Sequence, residues 1–517
     1  MHLFKQKINW QAVIGQVGLL LHVPAAMATL SLGICLIFKE WFALIPFASL
    51  AVFCFAIGQI LLYATKRAKA SHLWDAMIIA ALGWLICSTL AAIPIYWISC
   101  VLLKHGIESP ILQIFSHPMN ALFESFSGFT STGLTMLQQE GFFPYALQWW
   151  RSFLEWVGGL GLVVFVLALT HLNKQGYHLY YAEARSDQMA KNITQTALDI
   201  WGIYSLFTCI GFFLFLAAGM PLWEAINHAM TVISTGGFTI TPINFQGYGP
   251  SIQIIAIFMM MIGAISFSIH YRVIRERDFW ILWKNMQHRL LYMFIICGGV
   301  LVLLTNLWNG LKGYYLESFF EWTSALTTCG FNAMNLDLFS PMVKILLIIG
   351  MFIGGATGST VGGIKIHRLM YLFSGITLRL LALTTKKEKY ITRKYNSGRK
   401  RLEEPAGLDL PHSQKTGRLL TANILFSLWT STLFLGWFFI LKWVPKEKAL
   451  DALFEVTSAM SNVGLSSGIV SPDLPISAKW IFIFLMWIGR LEIIPALVLL
   501  LTLPLLFKRS PKNGKQS

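Results

Sequence analysis

Residues 121–134 read ALFESFSGFTSTGL, and the chain carries that fourteen-residue stretch three more times. The other copies are AINHAMTVISTGGF at 225–238, SFFEWTSALTTCGF at 318–331 and ALFEVTSAMSNVGL at 452–465. They align without a gap. Each opens as a short amphipathic helical pattern and ends in a small polar turn before one large apolar residue. The turns are Thr130-Ser131-Thr132-Gly133, Ser234-Thr235-Gly236-Gly237, Thr327-Thr328-Cys329-Gly330 and Ser461-Asn462-Val463-Gly464. An acid or amide precedes each copy (Asn120, Glu224, Glu317, Asp451) and predicts a helix N-cap. One Ser/Thr/Gly loop between helices means nothing. Four in register can supply rings of carbonyl oxygens that replace the hydration shell of a cation. Glycine suits such a ring because its backbone reaches φ values closed to other residues. The Thr and Ser hydroxyls can add oxygens at the inner end.

The class follows from composition. Of 517 residues, 56% are hydrophobic and 12% charged, about half the charge fraction of a soluble protein. Ten apolar segments are long enough to span a bilayer, near 12–37, 42–63, 75–101, 148–170, 197–219, 250–271, 289–308, 342–372, 419–441 and 478–507. The reading is an all-α integral membrane protein of ten transmembrane helices and four re-entrant loops around one pore. Residues 1–70 form an N-terminal hairpin. Four helix–pore loop–helix repeats follow at 71–190, 191–285, 286–415 and 416–517.

The net charge of +16 raises nucleic acid as a partner, but the bases sit in loops between spans. With both termini inside, 30 of the 40 Lys and Arg fall in inside segments, as the positive-inside rule requires. All four repeats then share the outer side. The longest polar segment, 386–418, reads as a solvated cytoplasmic loop, with a docking surface for a soluble subunit or anionic lipid as a weaker reading. Seven cysteines in or beside apolar runs, with no CxxC pair, read as buried reduced thiols. No removable signal peptide is recognisable. No nucleotide loop, metal cluster or nucleophile with its base is present, so an enzyme is not expected.

Three features lie off the repeats. The eighth span contains IGGATGSTVGGIK at 353–365, and each glycine costs a helix about 1 kcal/mol relative to alanine. Close helix packing explains two or three glycines. The added hydroxyls favour a mobile polar loop under the turns, built from Gly354, Gly355, Thr357, Gly358, Ser359, Thr360, Gly362, Gly363 and Lys365. Arg490, inside the last span, must face protein or water. It reads equally as half of a structural ion pair and as a positive charge on the pore axis, with Glu492 too close in sequence to share its helix face. Arg151 stands four residues before Glu155, on one helix face, and reads as an interfacial snorkelling arginine. His228 replaces the Glu of the other repeats (Glu124, Glu321, Glu455) and stays unassigned.

The repeats, GGATGSTVGGIK from Gly354, IGRLEIIPALVL from Ile488 and WRSFLEWVGGLGLVV from Trp150 resemble the TrkH/KtrB superfamily of potassium uptake proteins. The extra N-terminal hairpin resembles its longer, TrkH branch. The resemblance covers nearly the whole chain. It implies a potassium filter at the four turns, a homodimer with one pore per protomer, and an intramembrane gating loop at Gly354 to Gly363. It also implies a cytosolic nucleotide-binding regulator of the TrkA type, in a bacterial inner membrane. In related plant transporters a serine at the position of Gly133 goes with sodium preference. The fourth turn has the fewest hydroxyls, so its part in ion binding rests on backbone carbonyls. The rival class is a secondary carrier, ion- or proton-coupled, with a midplane site. It needs paired broken helices, and here one span is clearly broken in sequence.

Overall fold

The structure is a computed structural model that describes residues 8–66, 72–137, 143–169, 193–241, 243–384 and 412–507. Most of the 386–418 segment and both extreme termini lie outside the described residues. Those described are helical, with one isolated bridge between Ile353 and Ile364.

The N-terminal hairpin pairs Trp10–Ile37 with Trp41–Ala64. Glycines let the two backbones close up, since a Cβ built on Gly58 would lie 2.8 Å from the Gly18 carbonyl. The hairpin is tied to the first repeat through Glu40. Its carboxylate accepts from the N–H groups of Tyr145 (2.9 Å) and Ala146 (2.7 Å), at the positive end of the helix Tyr145–Leu160.

Each repeat is a long span, a short helix and a second span. The long spans are Leu73–Lys104, Ile193–Ala217, Met286–Trp308 and His412–Ile440. The short helices are Pro118–Phe129, Leu222–Ile233, Tyr315–Leu326 and Ala449–Met460. Side chains such as Phe213, Leu301 and Phe438 stand exposed on the long spans, which gives them an apolar outer face suited to lipid.

The second spans depart from the sequence reading, which found one clearly broken helix. All four are broken. The first stops at Gly161 (φ 98°) between Tyr145–Leu160 and Leu162–Leu169. The second bends by 99° between Pro250–Ala264 and Phe267–Glu276, and the fourth by 118° after Ile476–Arg490. The third runs Pro341–Phe352, then the glycine loop, then Ile366–Thr384. Gly263 precedes the second break, and Gly489 and Pro495 flank the fourth, but isolated glycines and a proline in otherwise apolar runs did not by themselves mark a bend. The Phe267 N–H instead bonds the Gly358 carbonyl across the fold (3.0 Å). Glu492 and Ile493 take left-handed φ values of 54° and 72°. Six helices remain long and apolar enough to cross a membrane among the described residues, or eight counting the two sharply bent pairs.

Three smaller expectations also change. Asn120, Glu224, Glu317 and Asp451 are each the third residue of their helix, not its cap. Three of them hold neighbouring elements instead: Lys479 donates to Asn120 (2.6 Å), Tyr248 to Glu224 (2.6 Å) and Lys344 to Asp451 (2.6 Å). The cysteines are free, but Cys209 and Cys297 are exposed and Cys100 half-buried. Arg151 does not snorkel. It is 2% exposed and pairs with fully buried Glu124 at 2.7 Å. Its guanidinium also donates to the Thr239 carbonyl and to Thr135, and lies 4.1 Å from the Phe238 ring centroid.

Candidate functional site

Each short helix ends in the same way. In the first, Ser131 N–H bonds the Gly128 carbonyl (2.9 Å) and Thr132 N–H the Ser127 carbonyl (2.8 Å). These are the paired bonds of a Schellman cap. The other three turns repeat them, for example Val463 N–H to Ser458 at 2.8 Å. The cap requires a left-handed residue, and Ser131, Thr235, Thr328 and Asn462 supply it at φ 48–53°. Two of these are threonines, whose branched Cβ makes that conformation an outlier. The strain is sustained because their side chains are held by distant elements.

The glycines two residues later are left-handed as well, at φ 83–100°, and they bring the turns together. A Cβ built on Gly133 would stand at or within 2.5 Å of the Gly236 carbonyl oxygen. The same holds from Gly237 to Cys329, from Gly330 to Val463 and from Gly464 to Thr132. Real Cβ atoms do not approach so closely. Each turn therefore lies against the carbonyl of the next, and the fourth returns to the first. The sequence could align the four turns; the structure closes them into a ring.

Three of the four hydroxyls at the head of the turns fold back onto their own helices, while Ser461 Oγ has no partner among the described residues. Thr130 donates to Phe126 (2.7 Å), Ser234 to Thr231 (2.9 Å) and Thr327 to Thr323 (2.7 Å), and Thr130 also meets Thr132 at 2.7 Å. The Asn462 amide donates to Thr132 Oγ1 and to the Met486 carbonyl, both at 2.9 Å, linking the fourth turn to the first.

The glycine loop presses on this ring. It doubles back on itself, with Gly354 N–H to Ile364 and Ile364 N–H to Phe352, both at 3.0 Å. Its tip touches three turns. Thr235 donates to Thr360 (3.1 Å), and Gly362 N–H donates to Thr328 Oγ1 (2.8 Å). Gly362 also backs onto the Ser461 carbonyl so closely that a Cβ would collide with it. Thr360 further donates to Gly263 (3.0 Å) at the break of the second repeat. Ser359 bonds Ala356, Thr357 bonds His367, and the Lys365 ammonium caps the Val361 carbonyl. Gly355 packs on Val361, and Gly363 (φ 63°) lies against Gly354.

Arg490 sits at the end of its helix, beside a small polar cavity of about 50 Å³ lined by residues 358–363, Trp84, Asn462 and Glu492. It donates to the Thr360 carbonyl (3.2 Å) and to the carbonyls of Gly158 and Gly159. It thus joins the glycine loop to the break in the first repeat. Glu492 turns away and pairs with Arg368.

A second tier of carboxylates stands behind the ring. Glu124 accepts from Met136 N–H (2.9 Å), Glu321 from Ala333 (2.7 Å) and Glu455 from Ile469 (2.8 Å). Each staples the strand leaving its own turn. His228 cannot do this. Its Nδ1 bonds the Glu224 carbonyl at 2.8 Å, and its Nε2 has no partner among the described residues. Glu155 of the first repeat reaches the second turn instead, at a different point, and accepts from Phe238 N–H, one residue past the ring glycine, at 3.0 and 3.1 Å. The sequence reading placed Glu155 on one helix face with Arg151, gave it no role of its own and missed this one. The gap that His228 leaves in the glutamate column was the available signal.

Comparison with known proteins adds the following. The family model described as the cation transport protein TrkH matches residues 45–308 and 311–505. An uncharacterized cation transporter of Methanocaldococcus jannaschii is 32% identical over 465 residues, covering 89% of this chain and 88% of the relative. The Trk system potassium uptake protein TrkH of Salmonella typhimurium is 29% identical, with 95% and 98% covered. The crystal structure of the potassium transporter TrkH from Vibrio parahaemolyticus superposes with a TM-score of 0.77 at 22% identity, covering 97% of this chain and 100% of that one. It shares the fold.

Proposed function

This chain belongs to the TrkH family of cation transport proteins, and on that premise we propose that it takes up potassium through the ring of four turns. One observation carries the reading: each ring glycine lies against a carbonyl of the next turn, around a closed circuit. Carbonyl oxygens so arranged replace the water of a dehydrated cation, and potassium releases its water more readily than sodium. The relatives named as potassium uptake proteins support the same ion.

In this reading the glycine loop is the gate, and Arg490 adds a positive charge on its cavity side. The Lys- and Arg-rich inside segments support a multi-pass protein of a bacterial inner membrane with both termini cytoplasmic. A homodimer, and a cytosolic nucleotide-binding subunit of the TrkA type, belong to the same proposal.

A coupled carrier is the second reading, and one observation favours it. Four second spans are broken at corresponding positions, so the argument that only one helix is broken no longer counts against a carrier. Tracer flux at varied membrane potential separates the two: a carrier saturates, turns over slowly and couples to a second ion.

Gly133→Ser tests the ring. The position has φ 84°, which disfavours a side chain by roughly 1–2 kcal/mol, and the new Cβ would displace the Gly236 carbonyl. Rubidium uptake with sodium as competitor should show stronger sodium competition in the variant. Equal competition in both proteins refutes the assignment of selectivity to the ring.

A further inference from the structure

Glu155 touches two neighbouring turns at once. Its backbone carbonyl accepts from Ser131 Oγ of the first turn at 3.0 Å. Its carboxylate accepts from Phe238 N–H, one residue beyond the ring glycine of the second turn. The other carboxylates bond further along, Glu124 three residues past its glycine and Glu455 five and six past its own. The Glu155 carboxyl also fills the space behind Gly236, where a Cβ would collide with it. Gly236 supplies the carbonyl against which Gly133 lies. Glu155 is fully buried, and its own helix runs on to the Gly158 and Gly159 carbonyls that Arg490 holds.

We infer that Glu155 is a positioning residue for ion selection: it sets the seam between the first and second turns, and so the placement of the Gly236 carbonyl. The inference rests on the reading of the ring as the selectivity element. The physical requirement is an acceptor at the Phe238 N–H, because a buried donor left without one is expensive. The acceptor comes from another repeat: the second repeat's own helix carries His228 in place of glutamate, and the glutamates of the other repeats bond further along their own segments. The charge itself is not required by this geometry, since an amide oxygen in the same place also accepts.

The test compares Glu155→Gln, which keeps an acceptor, with Glu155→Leu, which has the bulk but none. Rubidium uptake against sodium competition is measured beside thermal stability of the full-length protein. The amide variant should discriminate within about twofold of wild type, and the leucine variant should lose at least about fivefold, the lower end of what an unpaired buried N–H does to an equilibrium. A folded leucine variant with wild-type discrimination overturns the inference, as does an amide variant as unselective as the leucine one. If the leucine variant does not fold, Ser131→Ala removes the first-turn contact alone and should reduce discrimination in the same direction; unchanged discrimination there overturns the inference. Gly133→Ser run in parallel separates the failures. If it leaves discrimination intact, the ring assignment itself falls; if it erodes discrimination while the Glu155 series does not, only the role of Glu155 falls.

Discussion

Gly362 lies directly against the carbonyl of Ser461, with no room for a side chain between them. The two residues belong to different repeats. One is at the tip of the glycine loop, the other at the head of the fourth turn. With the Gly362 N–H on Thr328 and Thr360 on Thr235, this contact seats the loop against the ring.

Gly362→Ala should push the tip away from Ser461. If the loop occludes the pathway, basal rubidium flux rises while the preference for rubidium over sodium stays as in wild type. Deleting the centre of the loop should act in the same direction and more strongly. Proteoliposome flux on well-folded protein is the measurement, and flux at or below wild type in both variants would sink the gating role.

Arg490 bridges the Thr360 carbonyl and the carbonyls of Gly158 and Gly159. Arg490→Ala removes the charge and the bridge together and should increase cation flux several-fold. Lysine keeps the charge but has no planar fork to span separate carbonyls. Arg490→Lys should therefore fall between wild type and alanine in flux, whereas charge alone would leave it at the wild-type level. Flux and thermal stability from one preparation distinguish the cases.

The Arg151–Glu124 pair is buried on both sides. Arg151→Ala strands a buried carboxylate and should destabilise the protein by about 3–5 kcal/mol. Adding Glu124→Gln removes that charge while keeping an acceptor for Met136 N–H, and should recover a large part of the loss. Thermal unfolding in detergent reads both. A double variant no more stable than Arg151→Ala would show that the guanidinium's bonds to Thr239 and Thr135, not the uncompensated charge, dominate.

The Lys344–Asp451 pair supplies the contrast. Its side chains are 15% and 19% exposed, so water compensates either partner when the other is removed. Lys344→Met should lower stability by about 1 kcal/mol or less, well below the Arg151→Ala effect. A loss of equal size would mean that this site is as dry as the other.

What the sequence determined by itself is what local chemistry writes. Length and hydrophobicity specify membrane spans. A register of four identical patterns marks four short helices and their terminal turns, because a helix end needs small, left-handed-tolerant residues within a few positions of its last carbonyls. Five glycines in one span announce an irregular loop, because no helix tolerates so many without a reason. Tertiary structure decided everything that joins residues far apart. Arg151 chose Glu124, and Glu492 chose Arg368 over its neighbour Arg490, because a left-handed turn at Glu492 redirects its side chain. The bends after Ala264 and Arg490 have only isolated glycines and one proline beside them (Gly263, Gly489, Pro495), and their size is set with bonds made across the fold, such as Phe267 N–H to the Gly358 carbonyl. The closing of the ring, and the loan of Glu155 to a repeat whose helix carries His228, are likewise contacts between repeats. Their partners stand some 80 or more residues apart, beyond the reach of any periodicity in the chain.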